Sequence, residues 1–218
     1  MKTIVAVCTP TVHDRQRSLE WAERYREVCA TLPPGWFPVR QKHYLVDRAR
    51  QVLAERALER GASHILWWDD DCIPPADGYL RLAWRRYPWC TGVYVDRLGH
   101  QTLGLFIPGA TEAGQMAKPT APLGPGECGY FDACGLGFCL METALLRRME
   151  PPWFRFEVRP DGTFAGEDFW VSHRLRTELG VRVLGDGDVW VDQEELCVHR
   201  PDGSRVPVWQ AAGMVMRL

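Results

Sequence analysis

The sequence predicts an α/β protein with a mostly parallel central sheet flanked by helices, and three features point to it. The apolar runs "TIVAVCTP" and "HILWW" have the composition of strands covered on both faces, the pattern of parallel sheets. Between them lies a stretch of helical periodicity, so strand, helix and strand follow one another as a repeating unit. The second run ends in three consecutive aspartates, Asp69, Asp70 and Asp71, and in open α/β sheets ligands bind beyond the carboxyl ends of the strands.

Taken in order, the first strand is closed by Pro10, and a helix is expected from about Arg17 to Ala30. "LPPGWFP" then breaks the chain, and "VRQKHYLV" reads as a short second strand. From Asp47, a plausible N-cap, the residues Ala49, Val52, Leu53 and Ala57 make one helical stripe that Gly61 stops. The strand His64 to Trp68 follows. After the aspartates, "DGYLRLAWRRY" is a short helix and "TGVYV" another strand. The segment from Gly109 to Gly129, rich in Gly, Pro, Ala and Thr, predicts a long mobile loop that covers a site. "GYFDACGLGFCLMETALLRRM" passes from a Gly-rich turn through a strand into a helix from about Glu142 to Met149. "GEDFWVSHRLRTELG" is a second strong helix, and "VRVLGDGDVWVD" reads as two short strands. No repeat is visible, and 218 residues, 46% of them hydrophobic, are enough to bury one core, so a single domain over 1–218 is expected.

A formal net charge of -2 gives no general pull toward nucleic acid or anionic membranes. The basic residues are almost all arginine, with Lys only at Lys2, Lys42 and Lys118; genome composition, heat adaptation and bidentate anion contacts all produce that bias. The start "MKTIVAVCTP" reaches a proline after few apolar residues and lacks a small-residue cleavage site, so a cytoplasmic location with reduced thiols is expected. Cys128, Cys134 and Cys139 lack the C-x2-C pairing of structural zinc sites, and with Cys8, Cys72 and Cys90 they read as buried, inert thiols. No apolar run approaches the ~20 residues of a membrane span.

Three neighbouring carboxylates repel one another unless something positive sits among them. In an extended segment Asp69 and Asp71 would point to one side and Asp70 to the other. Two carboxylates so placed can share a hard cation such as Mg2+ or Mn2+, with a diphosphate as its remaining ligand. The alternative is a solvated turn or a helix cap. In "AGEDFW", Asp168 falls on the helical face of Val171, Leu175 and Leu179, so it either caps the helix or projects into a pocket, and Glu167 carries the same two readings. His199 is a metal ligand or an ordinary surface or core histidine. Trp153 and Trp170 are core residues or an apolar stacking surface.

The order of these pieces carries a resemblance. "VCTPT", an Arg-Ala-Arg helix before an apolar strand, "WWDDD" with prolines after it, "GLGFCLMETALLRRM", "GEDFW" and a final "VHR" together resemble the GT-A fold glycosyltransferases of the family 2 type, roughly from Thr3 to Arg200. The resemblance implies a metal-dependent transfer, with inversion, of a sugar from a nucleoside-diphosphate sugar to an acceptor hydroxyl. In it, Asp71 holds Mn2+ or Mg2+, Asp69 or Asp70 contacts the metal or the ribose, and Asp168 is the catalytic base, with Glu167, beside it in the same motif, counted with it as catalytic. His199 matches a metal-binding histidine. Thr9, Pro10 and Thr11 match the nucleotide-binding end of the first strand, and Gly135 and Gly137 the glycine-rich segment near donor sugar and acceptor. Arg50 matches a nucleotide- or phosphate-contacting arginine, although Gln51 follows it where the family often has Asn. A nucleotidyltransferase would carry a Gly-rich signature after the first strand, and "TPTVHDRQRS" has no glycine. A phosphatase with an aspartyl nucleophile would carry its D-x-D at the end of the first strand. A non-catalytic module binding nucleotide sugars or glycans is the reading from another class.

Overall fold

The computed structural model describes residues 3–11, 19–42, 45–94, 105–107, 118–119, 123–158, 164–193, 197–199 and 205–207. The chain begins with β1 (Val5–Thr11), α1 (Leu19–Thr31), β2 (Trp36–Lys42), α2 (Val46–Glu59), β3 (His64–Trp68), β4 (Cys72–Ile73), α3 (Gly78–Trp84) and β5 (Trp89–Tyr94). The short strands β6 (Leu105–Ile107), β7 (Lys118–Pro119), β8 (Cys128–Phe131) and β9 (Ala133–Cys134) precede β10 (Phe138–Glu142) and α4 (Thr143–Arg147). Then come β11 (Glu157–Val158), β12 (Phe164–Ala165), α5 (Glu167–Leu179), β13 (Val183–Gln193), β14 (Cys197–His199) and β15 (Arg205–Pro207).

The central sheet has the order β2-β1-β3-β10-β5-β13-β4, with β8 also paired to β13. Strands β2, β1 and β3 are parallel; β10 enters antiparallel between β3 and β5, which restores the common direction, and β13 continues it parallel to β5. The mostly parallel sheet expected from the apolar runs is therefore present, with β10, β4 and β8 running the other way.

Both faces of the sheet are covered. Ile65 and Trp67 of β3 point into a cluster with Leu53, Ala54 and Ala57 of α2, Leu145 and Leu146 of α4, and Val171 and Leu175 of α5. Leu66 and Trp68 point the other way, into a cluster with Val28 of α1 and Tyr79 and Leu82 of α3. Alternate residues of one strand thus serve two cores, which is why "HILWW" has no polar face.

Several expectations shift in detail. The N-cap of α2 is Leu45, and Asp47 lies in the first turn instead, where its Oδ1 accepts the Arg48 amide and its charge suits the helix dipole. Gly61 and Gly180 end α2 and α5 at φ 71° and 68°, a backbone region glycine enters without strain. The two strands expected in "VRVLGDGDVWVD" are one, β13, whose register with β5 slips between Gly185 and Trp190. Inside the slip, buried Asp186 takes two hydrogen bonds of 2.7 Å from Arg85. Much of the loop expected over 109–129 lies outside the described residues; within it, Lys118–Pro119 is β7 and Cys128 opens β8. Cys8, Cys72, Cys90, Cys134 and Cys139 are buried free thiols, as expected, whereas Cys128 is exposed. Among the described residues no helix is long and apolar enough to cross a membrane.

Candidate active site

The aspartate triplet is a turn. The Cys72 amide donates to the Asp69 carbonyl at 3.2 Å, so the chain reverses there and the side-chain alternation of an extended segment does not apply. The turn is not solvated, because Asp70 and Asp71 are 4% and 1% exposed. Of the solvated turn that the sequence left as the alternative, the structure keeps the turn and not the solvation.

Backbone bonds from three elements fix Asp69. Its amide donates to the Gly137 carbonyl at 2.8 Å, and its carbonyl also accepts the Trp21 indole Nε1 from α1 at 3.2 Å. One residue back, the Trp68 indole donates to the Cys72 carbonyl at 2.8 Å and closes the turn from beneath. Gly135 and Gly137 are themselves buried in the segment entering β10, so the glycine-rich stretch lies against the acidic turn. Thr9, Pro10 and Thr11, all buried, form the carboxyl half of β1 beside β3, at the same end of the sheet.

Arg50 joins this turn to α5. It is 2% exposed, its Nη2 donates to Asp69 Oδ2 at 2.9 Å, and its Nε donates to Glu167 Oε1 at 3.0 Å. Its guanidinium also lies 5.6 Å from the Trp67 ring centroid. Burial alone would lower the Arg50 pKa, but Asp69 and Glu167 outweigh it and hold the group firmly charged. The resemblance implied a nucleotide or phosphate contact for Arg50; in the structure its guanidinium lies between two carboxylates. It shares a face with Leu53, Ala54 and Ala57, three, four and seven residues on, and an arginine on such a stripe was the signal that could have announced a buried ion pair.

Glu167 and Asp168 open α5, whose N-cap is Gly166, so neither carboxylate is the cap. Glu167 is buried against Arg50. Asp168 is half-buried and leads the stripe of Val171 and Leu175, both fully buried, with its Oδ1 accepting the Phe169 amide at 2.8 Å. Burial, then the charge of Glu167, pushes the Asp168 carboxyl up to about 7, against the pull of the Phe169 amide and Arg50. Burial likewise pushes Asp69 up to about 6, with Arg50 opposing and Asp71 assisting. Ser172, one turn on from Asp168, donates to the Asp168 carbonyl at 2.6 Å and accepts the Cys134 amide at 3.4 Å, which ties α5 to β9.

The residues that would hold a divalent cation fit one in part. Asp69 Oδ1 is buried with no hydrogen-bond partner among the described residues, and a carboxylate oxygen is the donor hard cations take. No group of three His, Cys, Asp or Glu side chains among the described residues is placed to hold a metal. The side chain of His199 lies outside them; its strand, β14, starts four residues after Gln193, and Gln193 pairs with Cys72 at the end of the acidic turn. Trp153 is a core residue whose indole donates to the Met149 carbonyl at 2.9 Å. Trp170 is half-buried beneath the Arg155 guanidinium, 3.8 Å from its ring centroid.

A mixed sheet of this order, covered by helices on both faces, makes a GT-A-like α/β fold. Comparison with solved structures agrees. A197 from STIV superposes with a TM-score of 0.60 at 13% identity, over 94% of each chain. GalNAc-T7, solved with UDP, GalNAc and Mn2+, superposes with a TM-score of 0.53 at 13% identity, over 88% of this chain and 44% of its own, so this chain spans less than half of that neighbour. At such identity the likeness is one of fold. No protein-family profile matches the sequence, and no curated protein does.

Proposed function

We propose that this chain is a glycosyltransferase of the family 2 kind that moves a sugar from a nucleoside-diphosphate sugar to an acceptor hydroxyl with inversion. The observation that carries the reading is the joining of the buried acidic turn at the end of β3 to the carboxylates of α5 through one arginine, at the end of the sheet where such folds bind ligands. The fold shared with GalNAc-T7, a protein solved with UDP and Mn2+, supports it.

In this reading Thr9, Pro10 and Thr11 line the nucleotide, and Gly135 and Gly137 let backbone approach the donor sugar. A divalent cation, Mn2+ or Mg2+, held by Asp69, Asp71 and His199 would supply Lewis-acid stabilisation of the leaving diphosphate. Asp70 stays near the ribose. Asp168 takes the proton of the acceptor hydroxyl as that oxygen attacks the anomeric carbon from the face opposite the leaving group. A carboxyl pushed up to about 7 is matched to that task, because it is largely ionised just above neutrality yet still basic enough to accept a proton.

The test is thermal stabilisation by UDP, GDP, ADP and CDP and their sugars, each with Mn2+, Mg2+ or EDTA, followed by an assay for released nucleoside diphosphate. A metal-dependent shift with one nucleotide and release of that diphosphate from its sugar is the expected result. Stabilisation without release would instead identify a non-catalytic nucleotide-sugar-binding module, and release of pyrophosphate from a nucleoside triphosphate supplied with a sugar 1-phosphate a nucleotidyltransferase. If no nucleotide shifts the melting under any metal condition, the reading is wrong.

A further inference from the structure

The geometry points to a division of labour between the two carboxylates that open α5. Glu167 is a positioning residue, locked to Arg50 so that the acidic turn is held against the first turn of α5, and Asp168 is left to act on an acceptor. The inference rests on the transfer reading above, and it separates two residues to which the helical pattern alone gave the same pair of readings, cap or pocket.

Three observations separate them. The Glu167 oxygen that is bonded accepts Arg50 Nε at 3.0 Å, and the same guanidinium reaches Asp69 Oδ2 at 2.9 Å, so one planar group spans residues 117 and 19 positions away in sequence. Two in-plane contacts from adjacent nitrogens fix the relative orientation of both carboxylates, which a lysine ammonium cannot do. Arg50 and Glu167 are 2% and 7% exposed, so water does not compete for the contact, and Glu167 has no open side on which to meet an acceptor. Asp168, the next residue, is half-buried, and its one hydrogen bond to a side-chain oxygen among the described residues comes from its neighbour's amide. Side chains one residue apart on a helix diverge by about 100°, so the pair cannot serve the same point in space.

The test compares Glu167→Gln, Glu167→Ala, Arg50→Lys and Asp168→Asn by melting temperature and by kcat and donor KM for release of nucleoside diphosphate, all well below melting. Gln keeps an oxygen for Arg50 Nε. We expect Glu167→Gln to retain kcat within about tenfold of the parent, while Glu167→Ala and Arg50→Lys lose about a hundredfold with donor KM changed less than about threefold, the signature of misplacement. Asp168→Asn should lose about a thousandfold, as expected for removal of a general base. Glu167→Gln as inactive as Asp168→Asn would make Glu167 the base and overturn the inference. So would Glu167→Ala or Arg50→Lys with parental kcat per folded enzyme, the outcome of a purely structural role. Should the Ala and Lys variants fail to fold, the comparison of Glu167→Gln with Asp168→Asn still decides. A parent chain that releases no diphosphate from any nucleotide sugar overturns the transfer reading and this inference with it, whereas active parent with the wrong ranking overturns the inference alone.

Discussion

Asp168 is a carboxylate in a place that favours its neutral form, and its effect on stability follows from that. Its folded pKa, about 7, lies above the ordinary carboxylate value, so between those two values the folded state binds more protons than the unfolded one. The contribution of this group to stability is therefore fully present below the unfolded value and lost as pH rises through about 7. Asn keeps the oxygen that accepts the Phe169 amide but never ionises. Asp168→Asn should thus melt above the parent at pH 8, with the difference shrinking toward pH 4, a trade of stability for function common at active sites. Melting curves across that range check it, and a constant offset at all pH values would mean the carboxyl is not proton-linked to folding. Arg50 is the opposite case: it is buried between partners it needs. Arg50→Met leaves buried Glu167 and half-buried Asp69 without their cation and should lower unfolding free energy by about 3 kcal/mol, read from denaturant midpoints. The carboxylates were legible in the sequence because like charges at a strand end demand a cause. Arg50's role was not, since its partner Glu167 is 117 residues away and only the closing of the fold brings them together.

At the level of elements, α5 places its carboxylates by how it begins. Gly166 has φ -67°, open to any residue, yet a Cβ there would lie 2.6 Å from Asp168 Oδ1. The obstructing atom is the end of a rotatable side chain, so Gly166→Ala should leave melting almost unchanged while displacing the carboxylate and lowering turnover about tenfold or more. Gly187 in the β13 slip makes the contrast. A Cβ there runs into the Gly124 carbonyl oxygen, which is backbone and cannot swing away. Gly187→Ala should therefore destabilise by about 1–3 kcal/mol, as overpacking does, and leave donor KM as it was. Melting and kinetics on the two variants check both, and the assignment of Gly166 fails if its variant loses stability instead of turnover. The helices were readable because 3.6-residue periodicity and a terminal glycine are local signals, as α2 with Gly61 and α5 with Gly180 illustrate. The slip in β13 was not readable, because it depends on β5 for its register and on Arg85, about a hundred residues earlier, for the charge that lets Asp186 be buried. The acidic turn failed as an extended segment for a similar reason: the Cys72 amide, the Trp21 indole and the Gly137 carbonyl all hold Asp69, and two of these come from distant chain.

At the scale of the whole molecule, the sheet is common to both cores among the described residues. Leu53 lies in the cluster under α2, α4 and α5, and Leu82 in the cluster under α1 and α3, each fully buried and on opposite faces. Because β3 contributes Trp67 to the first and Trp68 to the second, neither cluster can come apart without exposing the other's strands. The expectation of one domain over 1–218 then becomes a measurable proposal. Leu53→Ala and Leu82→Ala should each cost about 2–5 kcal/mol of unfolding free energy through cavities in separate places. If the chain folds as a single cooperative unit, both shift the same denaturant transition, and the double variant loses the sum of the two to within about 0.5 kcal/mol, since the sites lie in separate clusters. Fluorescence of the buried tryptophans and far-ultraviolet circular dichroism would then give coincident curves for all three variants. Two resolved transitions, one moved by Leu53→Ala and the other by Leu82→Ala, would instead show two units that the sheet does not couple. In that case the site at the end of β3 would depend on the stability of the Leu53 side, where Arg50 and Glu167 reside, and far less on the other.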